Sequence, residues 1–480
     1  MGGGSVSSNC NNDTQIDIKY KNEMRILRFE GNKVHDYLNI NVEFNNDLSI
    51  VTGVNGSGKT TAILLLQAIL CPNIKDLISI PFEKLELDIL YSNIEYKILV
   101  KTEKSIIYVS VSNIHEPLKI DKRKLEEFEY IQYKQKEGIE INDYILKSIS
   151  PHPVLDFIQE LPSPIFIGLE RRIDESQADK DDFLMERRMF MNKSRHEISQ
   201  YRRQYKGTLG VSLLETEFLV QAMYKRIKKI EDGYTSVIQK QILLSYFDYI
   251  TFDPKKDIAN LDNYNEKRNL LSRQQEIEDT LRKIGYDNNA FVQKLKPFFE
   301  KLETLIDSIK PLETEKTGIS IEWLINRSQV DKLAALVEII DDYNNKTSKA
   351  FRPITKFVDI INSFIKDTGK KIYIDQVGHL FIKRPNGRDV SIDALSSGER
   401  QIVILFANVM FNRYTSESQE NILIIDEPEL SLHIKWQEIF IEKLLTASEK
   451  TQFILATHSP DIVGDFKNKG VKINKLKGNA

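Results

Sequence analysis

A short apolar run, Leu48 to Thr52, gives way at once to the loop Gly53-Val-Asn-Gly-Ser-Gly-Lys-Thr60, which opens directly into an apolar helical stretch from Thr60 to Leu70. Nothing else in the 480 residues restricts the fold as much. Strand, glycine-rich loop and helix in that order form the unit in which backbone N–H groups wrap an anion at the start of a helix. The glycines remove the Cβ atoms that would stand in the way, and the helix dipole favours negative charge. Lys59 reaches toward β- and γ-phosphates, while the Thr60 hydroxyl is placed for Mg²⁺. The nucleotide-binding residues expected here are Asn55, Gly56, Ser57, Gly58, Lys59, Thr60 and Thr61.

A phosphate-bound metal needs a second anchor. Asn421-Ile-Leu-Ile-Ile-Asp426-Glu427-Pro428 reads as a buried strand ending in two acids, the place where an α/β sheet presents residues to a ligand. Asp426 is expected to hold Mg²⁺ through water, and Glu427 to orient and polarise the attacking water. Further upstream, Leu395-Ser-Ser-Gly-Glu-Arg-Gln401 precedes an apolar helix. This segment reads in two ways: as an anion site made by Ser396 and the Gly398 backbone, or as an ordinary Ser-x-x-Glu cap formed by Ser396 and Glu399. His458, in Ala456-Thr-His-Ser-Pro460, follows the strand-like Phe453-Ile-Leu455.

In this order the segments resemble those of ABC/SMC-like ATPases. Leu395 to Gln401 resembles the ABC signature, with Ser397 replacing its first glycine as in SMC-like members. Pro428-Glu-Leu-Ser-Leu-His433 resembles the D-loop, where two subunits meet, and Ala456 to Pro460 resembles the switch-histidine segment. The resemblance implies an α/β fold: an ABC-type ATPase head of two lobes, with ATP and Mg²⁺ as cofactors. It implies that Ser396, Ser397, Gly398 and Glu399 cap the γ-phosphate of a nucleotide held by a second copy, and that His458 contacts the γ-phosphate and reports its loss. Lys59, Glu427 and His458 become the catalytic set. The chain is then its own partner, in an ATP-dependent dimer or a higher homo-oligomer.

Between the two halves of that site the character changes. Strand-like segments, among them Tyr96 to Val100 and Ile106 to Ser112, run to Pro164-Ile-Phe-Ile-Gly-Leu169, after which the chain becomes highly charged. Leu219, Met223, Ile227 and Ile230 recur at helical spacing. Phe291, Leu295, Phe298, Leu302, Leu305 and Ile309 recur in alternating steps of four and three, a coiled-coil-like seam. From Phe351 an amphipathic helix leads to a hairpin, Lys370-Lys-Ile-Tyr-Ile-Asp375 and His379-Leu-Phe-Ile-Lys383, with the turn Pro385-Asn-Gly-Arg388. The expected division is a flexible tail over 1–16, a first lobe over 17–170, a mainly helical insert with a short coiled-coil-like stalk over 171–345, and a second lobe over 346–480. The long separation of P-loop and signature resembles the OLD/RecF-related group. The insert is too short for an SMC arm, and Cys10 and Cys71 lack the spacing of a zinc hook.

Several function classes fall away. Net charge is −3, so there is no global basic field. No run approaches eighteen apolar residues and no signal peptide opens the chain, which makes a cytoplasmic protein with no membrane partner the expectation. The seven histidines are dispersed and form no nuclease-like cluster, so intrinsic nuclease activity is not expected. The stretch Arg187, Arg188, Lys193, Arg195, Arg202, Arg203 and Lys206, interleaved with Phe190, Tyr201 and Tyr205, is a candidate surface for nucleic acid or a protein partner. Glu170-Arg171-Arg172 is a candidate coupling loop, and Gln132 and Gln135 are candidates for the Q-loop glutamine.

OLD-family nucleases continue past the histidine segment into a Toprim domain, whereas this sequence carries none after Pro460. It therefore resembles the stand-alone ATPases of bacterial anti-phage systems such as PARIS and Septu. That resemblance implies an ATP-hydrolysing sensor and scaffold, which binds a separate Toprim or HNH effector nuclease and releases it when a phage trigger protein is detected. The alternative is a RecF/SMC-like repair ATPase that clamps DNA in its ATP-bound dimer.

Overall fold

The computed structural model describes residues 23–54, 56–124, 141–167, 208–245, 247, 264–286, 289–307, 321–411, 422–430 and 432–473. The expected tail over 1–16, Asn55, Gln132 and Gln135, the Glu170–Arg172 loop and the basic stretch over 187–206 lie outside the described residues. In chain order the strands are β1 (Met24–Val34), β2 (Leu38–Glu43), β3 (Leu48–Thr52), β4 (Lys84–Tyr91), β5 (Ile94–Glu103), β6 (Ile106–Val111), β7 (Leu118–Asp121), β8 (Ile165–Ile167), β9 (Lys371–Ile374), β10 (Leu380–Lys383), β11 (Asp389–Ser391), β12 (Ile422–Asp426), β13 (Gln452–Ala456) and β14 (Gly470–Lys472). The helices are α1 (Lys59–Leu70), α2 (Ile74–Ser79), α3 (Ile141–Ile149), α4 (Pro153–Glu160), α5 (Thr208–Ser245), α6 (Tyr264–Ser272), α7 (Gln274–Lys283), α8 (Asn289–Asp307), α9 (Ile321–Ile365), α10 (Ser397–Phe411), α11 (Ile434–Ala447) and α12 (Pro460–Val463).

Two compact units result. One contains residues up to Val220, Asp359–Asp375 and those from His379 onward; the other contains Gln221–Val358 and Gln376–Gly378. The first is an α/β head with the lobes of an ATPase, and the second is a helical insert.

In the head, a five-stranded sheet runs β14-β3-β13-β12-β8 with every neighbouring pair parallel. All five residues of β12 and of β13 are buried, the mark of strands covered on both faces. A six-stranded antiparallel sheet, β2-β1-β4-β5-β6-β7, has the opposite habit: β4 alternates buried and half-buried positions, because one face meets the core and the other meets water. On its wet face Lys84 and Lys97 both reach the Glu86 carboxylate at 2.5 Å, and their hydrogen bonds lower its pKa to about 2. Helix α1 lies between these sheets. Ala62, Leu65, Leu66 and Ile69 pack in one core with Leu85, Leu87 and Ile98 of the antiparallel sheet and with Ile422, Ile424 and Ile454 of the parallel one.

The insert has its own core, formed by Ile238 of α5, Ile277 and Leu281 of α7, Phe299, Leu302 and Ile306 of α8, and Val330, Leu333, Val337 and Ile340 of α9. On α8 the buried face differs from the expected seam. Leu302 and Leu305 are buried as that spacing requires, but Phe299 and Ile306 are buried beside them while Leu295 and Phe298 only pack against the core. This is the broad stripe of a helix in a globular core and not a two-position seam. Ile309 and the Phe291 side chain lie outside what is described.

Two further local expectations need correction. The helix expected from Phe351 is the end of the long α9, which runs through Pro353. A proline inside a helix costs about 3 kcal/mol, and burial of Ile354, Phe357, Ile360, Ile361 and Phe364 offsets it. The expected hairpin forms, with β9 pairing antiparallel to β10, but its turn lies elsewhere and β11 adds a third strand to make a meander, β11-β10-β9. Residues 375–379 turn between β9 and β10, closed by the Asp375 N–H donating to the His379 carbonyl at 3.0 Å. Pro385-Asn-Gly-Arg388 turns instead into β11, which is too short and polar to show a strand pattern. Gly387 there has φ +78°.

The two sheets of the head are joined by one buried amide. Gln452, fully buried at the start of β13, accepts from the Ile26 N–H at 2.8 Å and donates to the carbonyls of Ile26 at 2.7 Å and Asn45 at 2.9 Å. Gln452→Leu keeps the volume and strands these backbone groups. It is expected to destabilise the head by about 2–5 kcal/mol, seen as a lower thermal midpoint. An unchanged midpoint would show that the amide contributes nothing to joining the sheets.

Candidate functional site

Register decides where the site lies. Asp426 pairs with Ala456, and Ala456 pairs with Val51, so the parallel strands β12, β13 and β3 finish at the same edge. The glycine loop leaves β3, Thr457 and His458 leave β13, and Asp426 with Glu427 close β12. Ligands of open parallel sheets bind at this carboxyl edge.

In the loop, Gly56 and Gly58 adopt φ of +76° and +95°. A Cβ on Gly58 would also crowd Leu38 Cδ2, so the left-handed backbone and the close approach together favour glycine here. Asn55 lies outside the described residues, and Thr61 follows Thr60 in the first turn of α1. Lys59 opens α1 and is 5% exposed. Its ammonium donates to the Gly53 carbonyl at 2.9 Å and meets His458 Nε2 at 2.5 Å. An ammonium has only donors, so Nε2 is the acceptor. Burial pushes the Lys59 pKa down, and the charges of Asp426, Glu427 and Glu429 oppose that shift.

Thr60 hydrogen-bonds to Asp426. Asp426 is 5% exposed, and its Oδ1 has no hydrogen-bond partner. Burial pushes its pKa up, against the Thr60 hydrogen bond. A buried, unpartnered carboxylate oxygen beside a hydroxyl suits a divalent cation or its water. Ser57 Oγ, in the glycine loop, is likewise buried and unpartnered. Glu427 has φ +49°, a left-handed conformation that costs a non-glycine residue about 1–3 kcal/mol and concentrates at functional sites. Its N–H still donates to the Ala456 carbonyl at 2.8 Å, so the ladder runs to the residue where the backbone turns.

The signature segment forms the reciprocal cap. The Ser396 N–H donates to Glu399 Oε2 at 2.7 Å, and the Glu399 N–H donates to Ser396 Oγ at 3.4 Å. Glu399 is 2% exposed, with Lys370 Nζ at 3.0 and 2.9 Å from its two oxygens. Its carboxylate is thus committed inward, while Ser396 and Ser397 are exposed at the start of α10 and Gly398 is half-buried.

One residue of this edge carried no individual role in the sequence reading. Glu429 accepts from Thr457 Oγ1 at 2.7 Å on one carboxylate oxygen, and from the N–H groups of His458 at 2.7 Å and Ser459 at 3.1 Å on the other. Its signal was a third acid closely following the paired ones, absorbed into the D-loop resemblance. Lys370 gave no signal, being one lysine among many.

The family model described as AAA ATPase domain matches residues 35–463, and the chain belongs to that family of ATP-hydrolysing enzymes. Among individual proteins it is 28% identical over 208 residues to the Retron Vc95 probable ATPase of Vibrio cholerae serotype O1 biovar El Tor, a match covering 40% of each chain. It is 35% identical over 72 residues to the Septu protein PtuA of Bacillus mycoides, 14% of this chain and 10% of that one. It is 24% identical over 212 residues to the chromosome partition protein Smc of Methanocaldococcus jannaschii, 44% of this chain and 16% of that one. The matches thus span well under half the length of these relatives. Among the described residues no helix is long and apolar enough to cross a membrane.

Lys59→Ala removes the one cation buried in this loop. ATP turnover, measured by phosphate release, is expected to fall by about 100-fold or more. Turnover near that of the unaltered protein would remove the loop from the catalytic site.

Proposed function

We propose that this ATPase hydrolyses Mg²⁺-ATP at a site completed by a second copy of itself, and that the ATP-bound pair clamps DNA in the manner of RecF/SMC-like proteins. The observation that supports it most is the meeting of Lys59, Thr60, Asp426, Glu427 and His458 at one sheet edge, while Ser396 and Ser397 stand exposed on a separate helix start. Residues of the glycine loop hold the triphosphate with backbone N–H groups. Thr60 and Asp426 would hold Mg²⁺, which would offset the negative charge of the triphosphate. Lys59 donates to the same phosphates, and Glu427 accepts a hydrogen bond from the attacking water and polarises it. His458 meets the γ-phosphate. Ser396, Ser397 and Gly398 of one copy cap the γ-phosphate on the other, and Glu399, held by Lys370, keeps their turn in shape.

DNA as the partner is supported by the match to the chromosome partition protein. The matches to the retron ATPase and to the Septu protein favour a second reading. There the same cycle belongs to a cytoplasmic anti-phage scaffold, related to the PARIS and Septu ATPases, that holds a Toprim or HNH nuclease until a phage protein is sensed.

Composite sites are testable by mixing. Ser396→Arg is expected to leave ATP binding intact and stop hydrolysis, and adding Lys59→Ala protein to it should restore part of the turnover, because one site of the mixed pair is then whole. Full turnover by a monomeric protein at every concentration contradicts the shared site. Glu427→Gln keeps the side-chain shape and loses the charge, so ATP binding should survive while hydrolysis slows by about 100- to 10,000-fold. On the DNA reading this variant is retained on DNA only with ATP. Recovery from its native cells of a nuclease, without DNA retention, would replace that reading with the scaffold.

A further inference from the structure

The His458 ring reaches Lys59 although the residue as a whole is exposed, so something must hold the turn. We propose that Glu429 is the positioning residue for His458, locking the Thr457–Ser459 turn so that the imidazole is held against Lys59 at the phosphate end of the site. The inference rests on the proposed role of His458 in the reaction.

The geometry is specific. Both Glu429 oxygens are used, one by the Thr457 hydroxyl and the other by two successive backbone N–H groups, His458 and Ser459. Thr457 is 1% exposed, so its hydroxyl has no water to fall back on. It also accepts from the Ser459 N–H at 3.0 Å, which closes the turn on itself. The far side is tied down as well. Ser459 Oγ donates to Gln437 Oε1 at 2.6 Å, and Gln437 Nε2 donates to the Leu432 carbonyl at 2.9 Å and the Glu429 carbonyl at 3.4 Å. The histidine turn, the segment after the paired acids and the first turns of α11 are therefore tied together by side-chain hydrogen bonds. Successive N–H groups converging on one carboxylate oxygen fix the backbone orientation at His458, which an apolar contact would not do.

A group that acts only through His458 has nothing left to do once the imidazole is gone. Glu429→Ala should lower kcat by about 10- to 100-fold with little change in the KM for ATP. Glu429→Gln should recover most of that loss, because its amide oxygen can accept from the two N–H groups while its NH₂ donates to Thr457 Oγ1. Combining Glu429→Ala with His458→Ala should be no worse than His458→Ala alone. Thermal midpoints are recorded for each variant, and Glu429→Gln keeps the comparison open if the alanine variant does not fold.

Multiplicative losses in the double variant would overturn the proposal, as would a Gln variant as impaired as Ala or a loss expressed in KM alone. If His458→Ala by itself leaves turnover unchanged, the role given to His458 fails and this inference fails with it. That result is distinguishable from multiplicative losses, which leave His458 in place and remove only Glu429.

Discussion

Three strands set side by side in parallel, β3, β13 and β12, hold the rest of the structure to account. Side chains alternate across a strand, so a slip of one residue between β12 and β13 would carry Asp426 to the opposite face and separate it from Thr60. The slip is opposed from both ends of β13. Gln452 binds its first residue to the backbone of β1, and the Glu427 N–H closes on the carbonyl of its last. Such fixing allows residues remote in sequence to be placed to within a hydrogen bond.

Electrostatics explains why the edge is built from so many partners. A lysine and an aspartate, each 5% exposed, lie together with two further carboxylates, Glu427 and Glu429, whose fields reach both. Burying any one of these charges alone would be costly. The arrangement tolerates them because three of the four have a specific counterpart, Gly53 and His458 for Lys59, Thr60 for Asp426 and the histidine turn for Glu429, while Glu427 is only half-buried. Asp426 Oδ1 is the exception, and its unmet capacity points toward a cation. The signature segment shows the same economy: its Glu399 is neutralised by Lys370, and what faces outward is hydroxyl and backbone.

How much of this was legible in the sequence depends on whether the constraint is local. The glycine loop was, since positive φ at Gly56 and Gly58, with the Leu38 contact at Gly58, favours glycine at both. The buried strands Leu48–Thr52 and Ile422–Asp426 were legible from their mostly apolar runs. The Ser396–Glu399 cap is local too, and was read as one of two alternatives. What escaped depends on partners far along the chain. The amide of Gln452 makes sense only beside Ile26, the charge of Glu429 only beside the turn at His458, and Lys370 only beside Glu399. On α8 the spacing named a seam, but packing from α5, α7 and α9 widened the buried face, which periodicity on one helix cannot foretell.

Lys59 and His458 touch although 399 positions separate them. During synthesis at about 5–20 residues per second, that interval lasts roughly 20–80 s, and the nucleotide loop is present without His458 for all of it and without Asp426, Glu427 and β13 for most of it. On the roles proposed for Asp426, Glu427 and His458, a nascent chain that lacks them cannot hydrolyse ATP, so an incomplete translation product would be silent and not a partly active enzyme.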